Sequence, residues 1–286
     1  NRGDDQMPLK LMYITNSEDV AHIAEEAGVD RIFVDMEYIG KTDRQGGMDT
    51  VQSRHTADDV RRLAQCLNKA ELFVRVNPIH EKTDKYSSSK EEIDEVIEAG
   101  ADLLMLPYFK TAEEVQTFVK YVNGRAKTVL LVETPEAAAI AEDLVQISGI
   151  DEMFIGLNDL SLGYGKNFMF ELLLDGTVEE LCLKFRKGGI PYGFGGIASL
   201  GKGMLPSEYV IKEHYRLGST CAILSRSFCR TDQVTDLKEI QKIFETELPK
   251  IRELEEECRV HSEYFWKNRQ QVEAKIRQIC ECEDAK

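Results

Sequence analysis

The chain has 286 residues, of which 42% are hydrophobic and 30% charged, a length suited to one large α/β domain with an appendage and a composition that excludes global disorder or a collagen-like fibre. Lys and Arg number 36 against 51 Asp and Glu, a net charge of −15 with a pI near 4.9, which argues against nucleic acid or an anionic membrane as the main partner. No apolar run approaches the roughly 18 residues of a membrane span.

Eight short apolar runs rich in Val, Ile, Leu and Phe follow in chain order: LKLMYIT (9–15), RIFVDME (31–37), LFVRVNP (72–78), LLMLPY (103–108), TVLLVET (128–134), EMFIGLND (152–159), IPYGFGG (190–196) and CAILSRSF (221–228). Continuous apolar runs of this length predict strands buried on both faces, hence a parallel sheet. Between them lie charged, amphipathic stretches with helix signals: Ser17 opens one that Gly28 closes, Thr56 opens another, and two more run to Gly100 and Gly124. Eight such strand–helix units in residues 7–231 predict a (β/α)8 barrel rather than a doubly wound open sheet.

Residues 232–286 change character. Apolar residues recur there in steps of three and four, from Leu237 and Ile240 to Ile276 and Ile279, which predicts a long amphipathic helix or helix pair, interrupted near Pro249. Such an extension serves as an oligomerisation arm, or as a last helix folded back on its own barrel. The seven cysteines include no CxxC pair, and their odd number points to free thiols in a reducing compartment. The first residues carry no signal-peptide apolar region, so a cytoplasmic protein is expected.

A barrel places its site at the C-terminal strand ends. Those ends carry Asn16, Asp35, Glu37, Arg75, Asn77, Glu133, Asn158, Asp159, Ser225 and Arg226. Glu133 and Asp159 end consecutive strands about 4.8 Å apart, so both carboxylates can reach one ion, and their hard oxygens suit Mg²⁺ or Mn²⁺. Arg75 can pair with a carboxylate or stabilise a developing enolate oxygen. A Schiff-base route requires a lysine at a strand end, and none is well placed.

The segments VDME, VRVNP, EAGADLLMLPYFKTAEEV and LLVETPEAAAIAEDLVQISGIDEMFIGLNDLSLGYG resemble the HpcH/HpaI aldolase and citrate lyase β-subunit family. The resemblance implies a divalent metal on the Glu of VET and the Asp of ND, here Glu133 and Asp159. It implies that Arg75 contacts the keto and enolate oxygen of a pyruvate-like unit, whose carboxylate sits by the amides of Gly156, Leu157 and Asn158. The family's aldolases have a histidine after D-x-E, paired with an acid late in the third helix. Here those positions are Tyr38 and Glu98, and a tyrosine is a poor base at neutral pH.

The long loop after the second strand carries Lys41, Arg44, Arg54 and His55. This local basic cluster suggests an anionic substrate group, and His55 is a second stand-in for the missing histidine. The glycine-rich stretch 193–203 with Lys202, facing Ser225, Arg226 and Ser227, is a weaker anion site; His80 and His214 read as structural. The expected protein is a metal-dependent carbon–carbon lyase acting through a pyruvate-type enolate, a homo-oligomer with a small oxo-acid substrate. The alternatives are an acyl-CoA lyase or thioesterase, and a non-catalytic oligomeric barrel.

Overall fold

The computed structural model describes residues 7–41 and 53–284. The strands β1 (Lys10–Ile14), β2 (Arg31–Asp35), β3 (Glu71–Arg75), β4 (Leu103–Leu106), β5 (Lys127–Val132), β6 (Glu152–Ile155), β7 (Tyr192–Ile197) and β8 (Cys221–Leu224) pair in sequence order, all parallel, and β8 returns to β1. The sheet is a closed (β/α)8 barrel, as the eight apolar runs predict. Around it lie α1 (Glu18–Ala27), α2 (Ala57–Cys66), α3 (Ser89–Glu98), α4 (Ala112–Val122), α5 (Pro135–Ala139), α6 (Ala141–Leu144), α7 (Leu157–Gly163), α8 (Glu171–Leu174), α9 (Thr177–Lys187) and α10 (Ser207–Leu217).

Local sequence sets where these helices begin. The hydroxyls of Ser17, Thr56, Ser88 and Thr111 accept the N–H groups of Val20, Asp59, Glu91 and Glu114, satisfying amides that the first helical turn leaves open. Gly28 ends α1 at φ 106°, a left-handed conformation that glycine adopts without a Cβ clash. Helices therefore start at the rim where strands end and finish at the opposite rim.

Period-two alternation stacks the barrel interior in three layers. At the bottom, Arg31 forks onto Glu152 with contacts of 2.8 and 2.6 Å and lies 3.5 Å from Glu71. The middle is apolar: Met12, Phe33, Phe73, Leu103, Met105, Val129, Leu131, Phe154 and Cys221, with Phe33 and Phe73 stacked at 4.9 Å. A Cβ at Gly193 would collide with the carbonyl oxygen and Sγ of Cys221, so β7 is bare where that layer closes. The top layer is charged and forms the site.

Two further helices, α11 (Leu237–Val260) and α12 (Phe265–Asp284), complete the fold. Pro249 lies inside α11 rather than breaking it, and the helix ends at His261. Ile240, Phe244, Leu248 and Ile251 are buried against the barrel, where Phe244 meets Tyr13 and Phe228 edge-on at 5.0 and 5.2 Å. Glu255 accepts the Leu9 N–H (2.8 Å) and the Tyr215 hydroxyl (2.9 Å), and Arg252 donates to the Leu9 carbonyl (2.8 Å) and Asp30 (2.8 Å). Val272 and Ile276 of α12 are buried as well. The apolar face expected of an arm is thus covered by the chain's own barrel, the folded-back arrangement.

His214 on α10 is fully buried, stacked on Phe194 at 3.9 Å, with Nδ1 2.7 Å from the Ser219 hydroxyl and Nε2 without a hydrogen-bond partner. Burial pushes its pKa down to about 3. The unfolded chain therefore binds a proton below about pH 6.5 that the folded chain refuses, and stability falls as pH drops through that window toward 3. Unfolding free energies from urea titrations between pH 7 and pH 4.5 should decline with a slope that His214→Gln reduces by up to about 1.4 kcal/mol per pH unit, one proton's worth.

Candidate active site

Asp35 and Arg75 end adjacent strands in register. Arg75 donates from Nε to Oδ1 of Asp35 (2.9 Å) and from Nη2 to Oδ2 (2.6 Å), and Lys41 Nζ reaches the same Oδ2 at 2.5 Å. Burial alone would push the Asp35 carboxyl up, but the two cations outweigh it and hold it well below the usual carboxylate range. Lys41 is buried in this pairing, which corrects the expectation that it meets substrate: its charge is directed into the barrel. Arg44 lies outside the described residues.

His55 holds the main chain of the same residue. Its Nδ1 accepts the Asp35 main-chain N–H at 3.0 Å, and burial pushes its pKa down against the pull of Asp35 and Asp59. A neutral imidazole whose Nδ1 lone pair is engaged carries its proton on Nε2. In this tautomer its other nitrogen is a hydrogen-bond donor.

Glu133 follows β5 and is buried, its Oε1 accepting the Tyr108 N–H at 3.0 Å. Tyr108 holds a left-handed φ of 47° to present that group. The pairing of Val132 with Ile155 brings Gly156 alongside Glu133. A Cβ at Gly156 would lie 2.9 Å from both the Cβ and Oε2 of Glu133, so this glycine makes room for the carboxylate. Gly156, whose amide the resemblance places against a substrate carboxylate, donates its N–H to the Val132 carbonyl (3.0 Å). Leu157 and Asn158 open α7, and Asp159 is buried in its first turn. Gly156→Ala should displace the Glu133 carboxylate and lower kcat/KM by about a hundredfold, with a smaller loss of thermal stability.

Tyr38 is half exposed and packs on Tyr86 at 5.3 Å. Its main chain is clamped: the N–H groups of Tyr38 and Ile39 donate to Asn77 Oδ1 (2.9 and 3.0 Å), and Asn77 donates from N and Nδ2 to Glu92 Oε1 (2.9 and 3.2 Å). Burial, then Glu92 and Tyr86, push the Tyr38 phenol up, which makes it a proton donor rather than a base. Glu98 is placed elsewhere. It is exposed at the last turn of α3, and four residues on, Asp102 binds the Leu72 N–H at the bottom rim (2.8 Å). The acid behind Tyr38 is Glu92, in the first turn of the same helix; one turn past the Ser88 cap was the signal for it.

His80 lies between the Pro78 and Ser87 carbonyls, at 2.8 and 2.7 Å, and pins its loop. Among the described residues, the one cluster of three potential ligands is His22, Glu25 and Glu26 on α1. Glu25 there accepts the N–H groups of Asn68, Lys69 and Ala70, which is a structural role.

The rim at the strand ends therefore carries the buried Glu133 after β5, the buried Asp159 in the first turn of α7, and Arg75 paired with Asp35. The profile of the HpcH/HpaI aldolase/citrate lyase family matches residues 10–172, more than half of the chain, and the chain belongs to that family. It is an enzyme of the lyase kind. The fold is that of an HpcH/HpaI aldolase from Desulfitobacterium hafniense, at TM-score 0.61 and 15% identity over 82% of this chain and 93% of that one. It is also similar to the citrate synthase SbnG (TM-score 0.58, 15% identity, 82% and 94% covered) and to macrophomate synthase (0.54, 14%, 77% and 78%). No curated protein sequence matches the chain. Among the described residues no helix is long and apolar enough to cross a membrane.

Proposed function

We propose that the chain is a divalent-metal-dependent carbon–carbon lyase or aldolase acting through a pyruvate-type enolate, with an anionic aldehyde or keto acid as second partner. The observation that carries this reading is the buried Glu133, whose charge acts on the Arg75 guanidinium, with Asp159 buried in the first turn of the helix that follows the next strand. Gly156 leaves space around Glu133, and two hard oxygen donors fit Mg²⁺ or Mn²⁺. Glu133 and Asp159 would hold the ion, which when bound supplies Lewis acidity toward the keto and carboxylate oxygens.

The chain's own residues do the rest. Asp35 engages Nε and Nη2 of Arg75, which aims the remaining Nη1 edge at the keto oxygen as it gains enolate charge. Because Asp35 is itself fixed by Lys41 and His55, that donor is preorganised. The main-chain N–H groups of Leu157 and Asn158 hold the substrate carboxylate. Tyr38 delivers its proton to the enolate carbon, on a loop that the Asn77–Glu92 clamp positions.

Thermal unfolding with oxalate, a mimic of the enolate, tests the reading. Oxalate should raise Tm with Mg²⁺ or Mn²⁺ present and not with EDTA, and the effect should vanish in Glu133→Gln. Equal stabilisation with EDTA would overturn it.

A further inference from the structure

The loop 76–88 joins β3 to α3 at the strand-end rim. It is closed on itself at two points. At its tip, the Tyr86 carbonyl accepts the Thr83 N–H (2.9 Å), and the Tyr86 N–H donates to the Thr83 hydroxyl (3.0 Å). At its base, the Ser89 N–H donates to the His80 carbonyl (3.1 Å), and the His80 N–H donates to the Ser89 hydroxyl (2.7 Å). The His80 ring spans the gap between the two ends. Its Nδ1 lies 2.8 Å from the Pro78 carbonyl oxygen and its Nε2 2.7 Å from that of Ser87.

A carbonyl oxygen accepts and cannot donate. Each ring nitrogen of His80 therefore needs its own proton, and a neutral ring would set one bare lone pair against a carbonyl lone pair. The Ser89 hydroxyl, 3.1 Å from Nδ1, offers a bare Nδ1 a donor but does not remove that contact. Glu92 Oε2, 3.9 Å from Nε2, is the counter-charge. Through Oε1 the same carboxylate holds Asn77, and Asn77 holds the main chain of Tyr38. The loop tip meanwhile lays Tyr86 on the Tyr38 ring. Two routes thus lead from His80 to Tyr38. The other charges around the ring have partners: Lys82 of the loop faces Glu91 (3.6 Å), and Glu95, which acts on Glu92, faces Arg61 (3.3 Å).

We propose that His80 closes this loop as an imidazolium and acts as a positioning residue, its two charged N–H groups pinning the loop so that Tyr86 stays on Tyr38 and Glu92 on Asn77. Closure takes up a proton that an open loop, free of the two carbonyls, does not need, so the loop tightens as pH falls. Glu92, whose carboxyl burial pushes up, works in the opposite sense once it is protonated at lower pH. That the loop serves proton delivery rests on the reading of Tyr38; that its closure is linked to a proton does not.

Amide hydrogen exchange of the full chain at about pH 6.5 and pH 8.5, corrected for the intrinsic pH dependence of exchange, tests it. Amides of residues 80–89 should be more protected at the lower pH, by up to about tenfold per pH unit, the limit for one proton. In His80→Gln that dependence should vanish. Equal protection at both pH values in the wild type, or a dependence that survives His80→Gln, would overturn the proposal. Nitrogen NMR of the five histidine rings reads the proton itself. In the protecting condition, the ring absent from His80→Gln should carry a proton on both nitrogens, and a single protonated nitrogen would also overturn the proposal. Exchange of pyruvate methyl protons in D₂O tests the positioning role. His80→Gln should lower the maximal rate by about tenfold, most strongly at the lower pH, and change the half-saturating pyruvate concentration by less than about twofold. Exchange lost in Tyr38→Phe but intact in His80→Gln would overturn that role. Unchanged exchange in Tyr38→Phe would instead remove the reading of Tyr38 and leave the charged pin standing.

Discussion

Glu133→Gln and Asp159→Asn are each expected to lower kcat/KM by at least about a thousandfold while the barrel stays folded, because on the proposed reading each removes one of the two charges that would hold a cation worth several kcal/mol of transition-state stabilisation. Glutamine keeps the length of Glu133 and an oxygen to accept the Tyr108 N–H, so the left-handed turn at Tyr108 survives. Asp159 sits in the first turn of α7, where asparagine preserves the helix start. Calorimetric titration of Mg²⁺ and Mn²⁺ into each variant, beside circular dichroism, separates lost ion binding from lost fold. Near-full activity in either variant would break the assignment.

Asp35→Asn is expected to destabilise the protein by about 3 kcal/mol at pH 7. The substitution keeps the side chain's shape and leaves the Arg75 and Lys41 charges with no carboxylate between them. Glu37, 3.9 Å from Arg75, offsets part of the loss. The sign of the pH dependence is fixed. The folded-state pKa of Asp35 is depressed, so its contribution is present above the unfolded value near 4 and is lost as pH falls below that. Urea midpoints of wild type and Asp35→Asn should differ most at neutral pH and converge below about pH 4. A constant gap across that range would mean that Asp35 acts through shape rather than charge. Because Asp35 aims Arg75, kcat should fall together with stability.

The barrel was legible because its signal is periodic: eight apolar runs, each followed by a cap and an amphipathic stretch. That Glu133 lies at the rim was legible for the same reason, since a residue that follows a strand of a parallel barrel has one rim to occupy; Asp159 lies further on, in the first turn of α7. The pairing of Asp35 with Arg75 was nearly so. Both sit at the ends of inward-facing runs, Arg31–Phe33–Asp35 and Glu71–Phe73–Arg75, and alternation alone puts them side by side. Lys41 could not be placed that way, because a loop cation's partner depends on how the loop folds over the mouth. Glu98 shows motif position losing to helix direction: the return helix of a βα unit carries its last turn away from the site, so the first-turn Glu92 is the acid that reaches it. His55 was visible as a residue type and not as a tautomer, since the main-chain N–H that occupies its Nδ1 belongs to a strand twenty residues earlier. The apolar stripe of α11 shows that a surface must be covered and not by what; its complement is formed by Tyr13 and Phe228, more than two hundred and about sixteen positions away.

Proton NMR of pyruvate in D₂O with the protein and Mg²⁺, repeated with EDTA and with Glu133→Gln, tests the central claim most directly. The account predicts loss of the methyl signal with metal and wild-type protein, and its persistence in both controls. Exchange that survives EDTA and the substitution would contradict it, because the enolate would then form without the carboxylate pair on which the site is built.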